Sequence, residues 1–148
     1  MDSYLIANLI FVIAPLTTLI HELGHVSGSL ALKADYVQLC MGIGKRKSVT
    51  TYRRVEFIVY PFFFIGGFTR SERNKPYLKS ERIWITILGP IFNGISALVS
   101  YLLNEVYPSE FLQLFFWFNI WMSFVNIIPF KINGKQTDGF TILELIRK

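Results

Sequence analysis

The chain has 148 residues, a formal net charge of +5 at pH 7 and a hydrophobic fraction of 52%. One domain of this size with so many apolar residues is more typical of membrane proteins than of soluble ones. A nucleic-acid interface is disfavoured, because eleven of the fifteen basic residues lie between Lys33 and Arg82, in a region flanked by apolar segments. The single cysteine, Cys40, excludes an internal disulfide and a zinc site made of cysteines.

The first predicted element is a long apolar helix from about residue 4 to residue 32. A helix of about 28 residues measures roughly 42 Å, which is enough to cross a bilayer and project beyond it. Pro15 lies inside this helix and predicts a kink, since proline removes a backbone hydrogen bond. The N-terminus lacks the basic region of a cleavable signal, so we expect the helix to be retained as a membrane anchor.

Near the end of this helix, residues 21–25 read His-Glu-Leu-Gly-His and contain both histidines of the chain. Residues i and i+4 share one helix face, so His21 and His25 can hold one zinc ion together. Glu22 lies beside that position and can serve as general base for a zinc-bound water. The alternative is a structural polar cluster, but such residues are costly in a membrane helix and favour a function.

Residues 34–69 contain short runs rich in Val, Thr, Tyr and Phe around a turn, which predicts a β-hairpin region. Within it, Phe57 to Phe68 is too short to span a bilayer as a helix and is interrupted by Pro61, Gly66 and Gly67. We expect the hairpin to dip into the membrane interface or to line the site, where an exposed strand edge can pair with an extended peptide.

Two further apolar segments predict membrane helices, from about residue 83 to 103 and from about 111 to 128. An Asp-Gly loop and a short C-terminal helix follow within residues 129–148. We therefore predict an α-helical polytopic membrane protein in which about three transmembrane helices form one core domain over residues 1–148. A membrane-associated β-hairpin lies between helices 1 and 2.

The basic residues also predict an orientation. The first loop between predicted spans carries eleven Lys and Arg residues, the second carries none and the C-terminal tail carries four. By the positive-inside rule, the N-terminus is outside, and the first loop and the C-terminus are cytoplasmic, in what we expect to be the plasma membrane. His21 then lies roughly 25 Å into a core about 30 Å thick, so the site is near the cytoplasmic boundary.

Four short patterns occur in order along the chain. They are His-Glu-x-x-His at residues 21–25, Gly-Gly at 66–67, Gly-Pro-x-x-Asn at 89–93, and Asn-x-x-Pro at 126–129 with Asp-Gly at 138–139. Together they resemble the site-2 protease family of intramembrane zinc metalloproteases, here as a minimal three-helix core. The combination covers most of the chain and is more specific than any single pattern.

The resemblance implies one Zn²⁺ per chain, held by His21, His25 and Asp138, with Glu22 as the catalytic base. It also implies roles for four other residues: substrate binding for Asn93, Gly66 and Gly67, and shaping of the site for Asn126. Asn126 and Asp138 are twelve positions apart, a longer interval than the family's usual one. The sequence therefore leaves open whether Asp138 reaches the histidines.

The predicted function is an intramembrane zinc endopeptidase that cleaves a peptide bond in or near a transmembrane or hydrophobic peptide segment. Its expected partners are that peptide and the lipid bilayer, without nucleic acid; a homo-oligomer or a membrane partner protein is left open. The alternative is a non-catalytic membrane adaptor or immunity protein that retains the fold. A transporter is a third interpretation, for which three spans leave little room.

Overall fold

The computed structural model of the protein describes residues 3–132 and 134–147. Helix α1 spans Ser3–Ala31. Four strands follow: β1 Tyr36–Ile43, β2 Ser48–Tyr52, β3 Val55–Val59 and β4 Phe62–Glu72. Two helices come next, α2 Lys79–Val106 and α3 Glu110–Ile127. The last elements are β5 Lys131–Ile132, β6 Lys135–Gln136 and helix α4 Asp138–Arg147.

The backbone hydrogen-bonding pattern of helix α1 changes in the segment that precedes His21 and His25. Residues Leu9–Ile13 form a π-helical turn between the α-helical segments Ser3–Asn8 and Ala14–Ala31. Pro15 is the second residue after this turn, and a proline cannot donate the backbone hydrogen bond that a regular α-helix requires. The irregularity of the helix therefore lies where the proline predicts it and takes the form of a widened turn.

Among the helices that the structure describes, α1 and α2 are long and apolar enough to cross a bilayer. Helix α3 occupies the third predicted span but has only 18 residues. Its apolar sequence is interrupted by five polar residues, Glu110, Gln113, Asn119, Ser123 and Asn126. Two candidate spans and a small sheet are thus established, whereas the third span stays a prediction.

The predicted β-hairpin is wrong in its extent, because residues 36–72 contain a four-stranded sheet of order β2-β3-β1-β4. Strand β3 inserts between β1 and β2 and runs parallel to β1, with Val37 opposite Val55. Every residue of β2 is exposed, whereas Val55 and Ile58 of β3 are buried. The more apolar β3 therefore takes the interior position, and the polar β2 takes the edge.

One face of the sheet packs against α1 and forms the apolar core. Buried Val37, Leu39 and Met41 of β1 meet Val26 of α1 there, and Leu19 and Leu23 cover the cluster. Strand β4 also runs along α1: Phe64 packs on Phe11 with ring centroids 5.2 Å apart, and Gly67 approaches Thr18. This packing places β4 beside the helix that carries both histidines.

The other side of α1 packs against α2, which in turn packs against α3. Glycine allows the close approach, since a Cβ at Gly24 would overlap the backbone carbonyl of Leu88. Buried Gly89 and Pro90 of α2 lie at the level of this contact. The histidines of α1 consequently face a helix bundle, while the opposite face of α1 supports the sheet.

Candidate metal centre

His21 and His25 bring two ring nitrogens together on the bundle side of α1. Their Nε2 atoms are 3.1 Å apart, as the i, i+4 spacing on one helix face predicts. Asp138, the first residue of α4, places Oδ2 3.0 Å from His21 Nε2 and Oδ1 3.5 Å from His25 Nε2. The donor atoms of the three side chains all lie within 4.8 Å of one another.

The hydrogen bonds of the two rings fix where their protons are. His21 Nδ1–H donates to Asn93 Oδ1 over 2.7 Å, and His25 Nδ1–H donates to the carbonyl of Ile85 over 2.9 Å. A neutral imidazole has one N–H, so both Nε2 atoms present lone pairs toward Asp138. This second-sphere arrangement is typical of histidines that bind a metal.

The donor set fits a metal ion. With both ring protons on Nδ1, two imidazole lone pairs and a carboxylate meet at one point, and such a cluster is repulsive unless a proton or a metal cation shares it. Asp138 Oδ2 is buried and accepts no hydrogen bond from any residue that the structure describes. Two histidines and one carboxylate are a usual ligand set for catalytic zinc, which keeps a further position open.

Gly89 makes room for the histidines on the facing helix. A Cβ at this position would lie 2.5 Å from Nε2 of His25 and 2.8 Å from Nε2 of His21. Any other residue would therefore push into the two atoms that the site brings together. The first position of the Gly-Pro-x-x-Asn pattern is thus restricted to glycine by the space that the two histidine rings occupy.

A small hairpin accounts for the long interval before Asp138. Strands β5 and β6 pair with each other as a hairpin in the segment that connects α3 to α4. Thr137 holds the two ends of this connecting segment together. Its hydroxyl donates to the carbonyl of Ile128 over 2.7 Å and accepts from the N–H of Phe140 over 3.3 Å. Thr137 therefore joins the end of α3 to the start of α4 as an N-cap, and this returns Asp138 to the histidines.

Glu22 faces the sheet and is also buried. Thr69 of β4 donates its hydroxyl to Glu22 Oε2 over 2.7 Å and lies 3.3 Å from the backbone carbonyl of the same residue. The carboxylate is therefore oriented by a strand, whereas the two histidines of the candidate metal site are oriented by α2. The predicted role of Glu22 as base stays a prediction at this stage.

The structure gives each of the other predicted site residues a definite place. Asn93 is fully buried, and its amide contacts His21, Thr17 and Asn119. Gly66 and Gly67 lie on β4, and Gly66 has a positive φ of 70°. The amide of Asn126 donates to the carbonyl of Met122 in its own helix. Their roles in substrate binding or in shaping the site stay predictions.

Sequence reasoning missed four residues that support the centre: Thr17, Thr69, Asn119 and Thr137. A signal was present for Asn119, since an amide in the middle of an apolar helix needs a buried partner. A signal was also present for Thr137, because threonine before Asp-Gly is a common start of a helix. Nothing in the local sequence marks Thr69, whose partner is 47 residues away.

The fold and the site define a class: a helical protein whose His-Glu-x-x-His motif and a distant aspartate form a cluster that can hold a metal ion. The sequence model of peptidase family M50 matches residues 8–109, and the chain belongs to this family. The resemblance to site-2 proteases is thereby confirmed. The family is one of zinc-dependent membrane metalloproteases. A search of curated proteins finds no match. Asp138 lies outside the matched residues, so its assignment rests on the geometry.

Proposed function

We propose that this protein is an intramembrane zinc endopeptidase that cleaves a peptide bond in or near a transmembrane or hydrophobic segment of its substrate. One observation carries the proposal. His21 Nε2, His25 Nε2 and the Asp138 carboxylate converge on one point, while both ring protons are bonded elsewhere. One Zn²⁺ per chain is the cofactor that these three ligands suit.

The roles of the side chains follow from their positions. When bound, zinc would supply a Lewis acid that polarises the scissile carbonyl and lowers the pKa of water. Glu22 takes a proton from the attacking water as the oxygen–carbon bond forms, and returns it to the leaving nitrogen as the carbon–nitrogen bond breaks. Thr69 occupies one carboxylate oxygen of Glu22, which leaves the other oxygen to accept the proton.

Strand β4 is the proposed docking edge for the substrate. It pairs with β1 along one edge, and no other strand among residues 3–132 and 134–147 pairs with its second edge. A peptide bond is cleaved in an extended conformation, and an extended peptide can add to such an edge through main-chain hydrogen bonds. Gly66 and Gly67 lie on this strand, and Thr69 joins it to Glu22.

Three spans are proposed for the membrane: α1, α2 and α3. The amide in the middle of α3 is compatible with this, since Asn119 is fully buried against the bundle and does not face lipid. The distribution of basic residues supports an N-terminus outside the plasma membrane, with the metal centre and C-terminus toward the cytoplasm.

Glu22→Gln tests the proposal, because it keeps the size of the side chain and removes the base. Wild type and variant are each co-expressed with a panel of single-span reporters that differ in their transmembrane segments. Cleavage is followed by immunoblot and mass spectrometry, and the zinc content of the purified proteins by elemental analysis. We expect one zinc per chain in both proteins and at least about 100-fold less cleavage by the variant.

Four outcomes are decisive. Equal cleavage by wild type and Glu22→Gln would overturn the proposed mechanism, and a wild type without zinc would overturn the metal centre. Zinc in both proteins, with no membrane peptide accumulating in cells that carry the variant, would favour the non-catalytic adaptor or immunity protein. A peptide that accumulates only with the variant would identify the natural substrate.

A further inference from the structure

Three polar residues form a buried chain behind His21. Thr17 lies one helical turn before His21 on α1, Asn93 lies on α2 and Asn119 lies on α3, and all three have no exposed surface. Their side chains cross the interface of three helices in the apolar part of the molecule. Polar groups in such a place need partners, so the pattern of their hydrogen bonds is tightly determined.

The amide of Asn93 is oriented by two acceptors. Its Nδ2 donates to the backbone carbonyl of Thr17 over 3.1 Å and to Asn119 Oδ1 over 3.0 Å. Both acceptors would repel an oxygen, so the Asn93 amide cannot turn round without losing two hydrogen bonds. Its Oδ1 consequently faces His21 Nδ1, at 2.7 Å.

Asn119 is itself held in place by two donated bonds. Its Nδ2 donates to Thr17 Oγ1 over 3.1 Å and to the carbonyl of Phe115 over 2.9 Å. These bonds decide that Asn119 presents its oxygen, rather than its nitrogen, to Asn93. Thr17 thus accepts two hydrogen bonds in this network, one at its hydroxyl from Asn119 and one at its backbone carbonyl from Asn93.

These hydrogen bonds together determine which ring nitrogen of His21 carries the proton. An oxygen facing Nδ1 requires the proton to be on Nδ1, which leaves the lone pair on Nε2 at the metal centre. A turned Asn93 amide would place an N–H against Nδ1 and favour the proton on Nε2, where it blocks the metal. We propose that Asn119 and Thr17 are positioning residues that set the Asn93 amide and so keep His21 ready for zinc.

This inference rests on the proposed zinc site, and its test reads metal binding and tautomer rather than cleavage. Asn119→Leu removes the acceptor for Asn93 with little change in volume. Thr17→Val removes the hydroxyl isosterically, and Thr17→Ser keeps it. Ser100→Ala is the matched control, because Ser100 is also buried in the bundle but donates its hydroxyl to the carbonyl of Ala97 in its own helix.

Two measurements are made on each purified, folded protein in detergent. Zinc affinity is measured by competition with a chelator, and the ring nitrogens of ¹⁵N-labelled histidine are observed by NMR without metal. We expect zinc affinity to fall about 10- to 100-fold in Asn119→Leu and by less in Thr17→Val. Thr17→Ser and Ser100→Ala should match wild type, and Asn119→Leu should show a larger fraction of His21 protonated at Nε2, because one of the two acceptors of the Asn93 amide is lost.

The results separate this inference from the function it rests on. Unchanged affinity and an unchanged His21 tautomer in folded Asn119→Leu would overturn the positioning role and leave the zinc site intact. Lower thermal stability with both readouts unchanged would also overturn it, because the residue would then act only in packing. A wild type that fails to bind zinc would instead overturn the proposed function.

Discussion

Helix α1 is supported in two different ways on its two sides. On the bundle side, the ring protons of His21 and His25 are bonded to an amide and a carbonyl of α2, and Asn93 is fully buried. On the sheet side, Glu22 is held by the hydroxyl of Thr69, which is half-buried on a strand with an open edge. The two histidines proposed as ligands are thus each held by a hydrogen bond to α2, whereas the proposed base is held by a hydroxyl of the sheet.

Because the two sides of α1 are supported differently, we expect substitutions on them to affect different properties. Changes on the bundle side should alter how tightly zinc is held, because they move or reprotonate the ligands. Changes on the sheet side should alter how fast a bound substrate is cleaved, because they move the proton acceptor while the ligands stay in place. Variants that violate this division would show that the centre behaves as one cooperative unit.

The largest effect is expected for Gly89→Ala on the bundle side. The new Cβ would lie 2.5 Å from His25 Nε2 and 2.8 Å from His21 Nε2, so one ring must leave its position. We expect zinc affinity to fall by about 100-fold or more, in excess of the usual effect of a second-sphere change. Gly94→Ala is the control, since its Cβ would meet only Ser123 Oγ, at 3.9 Å. Equal affinities in the two variants would contradict the steric argument.

On the sheet side, Thr69→Val should lower turnover by about 10- to 100-fold, because Glu22 loses the bond that orients its carboxylate. Zinc affinity should stay within about twofold of wild type, and Thr69→Ser should restore turnover. Rates at saturating reporter substrate and chelator competition provide the two readouts. A loss of zinc affinity equal to the loss of turnover would remove the distinction between the two sides.

Thr137→Val tests how helix α4 is held so that Asp138 lies beside the two histidines. The variant loses the N-cap of α4 and the bond to Ile128, and we expect a loss of about 0.5–2 kcal/mol in the stability of this region. Hydrogen exchange of the α4 amides measures it, with Thr137→Ser as control. Zinc should protect these amides in wild type, and a lack of zinc-dependent protection would argue against Asp138 as a ligand.

The smallest effect is expected from a carboxylate on the sheet that is remote from the centre. Tyr36 and Gln38 donate to Glu56 Oε2 over 2.6 and 2.8 Å, and these bonds hold the pKa of Glu56 below its usual value of 4.5. The bonds therefore stabilise the folded sheet above pH 4.5, and this contribution is lost as the pH falls through the lower folded pKa.

Thermal unfolding as a function of pH measures the effect. The difference in stability between wild type and Glu56→Gln should shrink as the pH falls below about 4.5, because protonation makes the two side chains alike. Zinc affinity at pH 7 should be the same in both proteins. A change in zinc affinity would mean that the sheet also supports the ligands.

The parts of the site that sequence predicts are those set by local geometry. The pairing of His21 with His25 depends only on one helix turn, and the structure places the two rings together. The proximity of Asp138 needed more, because it depends on how the β5–β6 hairpin closes, and closure rests on Thr137. Sequence patterns do not contain the shape of such a loop.

The sheet and the supporting residues were harder to predict for the same reason. Alternation of apolar residues predicts strands, but it does not predict that β3 inserts between β1 and β2. Thr69 and Asn119 act through partners 47 and 26 residues away, on elements whose arrangement the chain reveals only when folded. The long apolar runs themselves are helical in the structure, over Ser3–Ala31, Lys79–Val106 and Glu110–Ile127.

The π-helical turn at Leu9–Ile13 has a consequence for how the first helix can vary. A π turn holds one residue more than an α turn, so the segment before it is rotated out of phase with the segment that carries the motif. A single helical wheel therefore cannot describe both segments. The turn is also the place where α1 can absorb a one-residue deletion: a shorter helix could straighten there while His21 and His25 keep their alignment with the rest of the molecule.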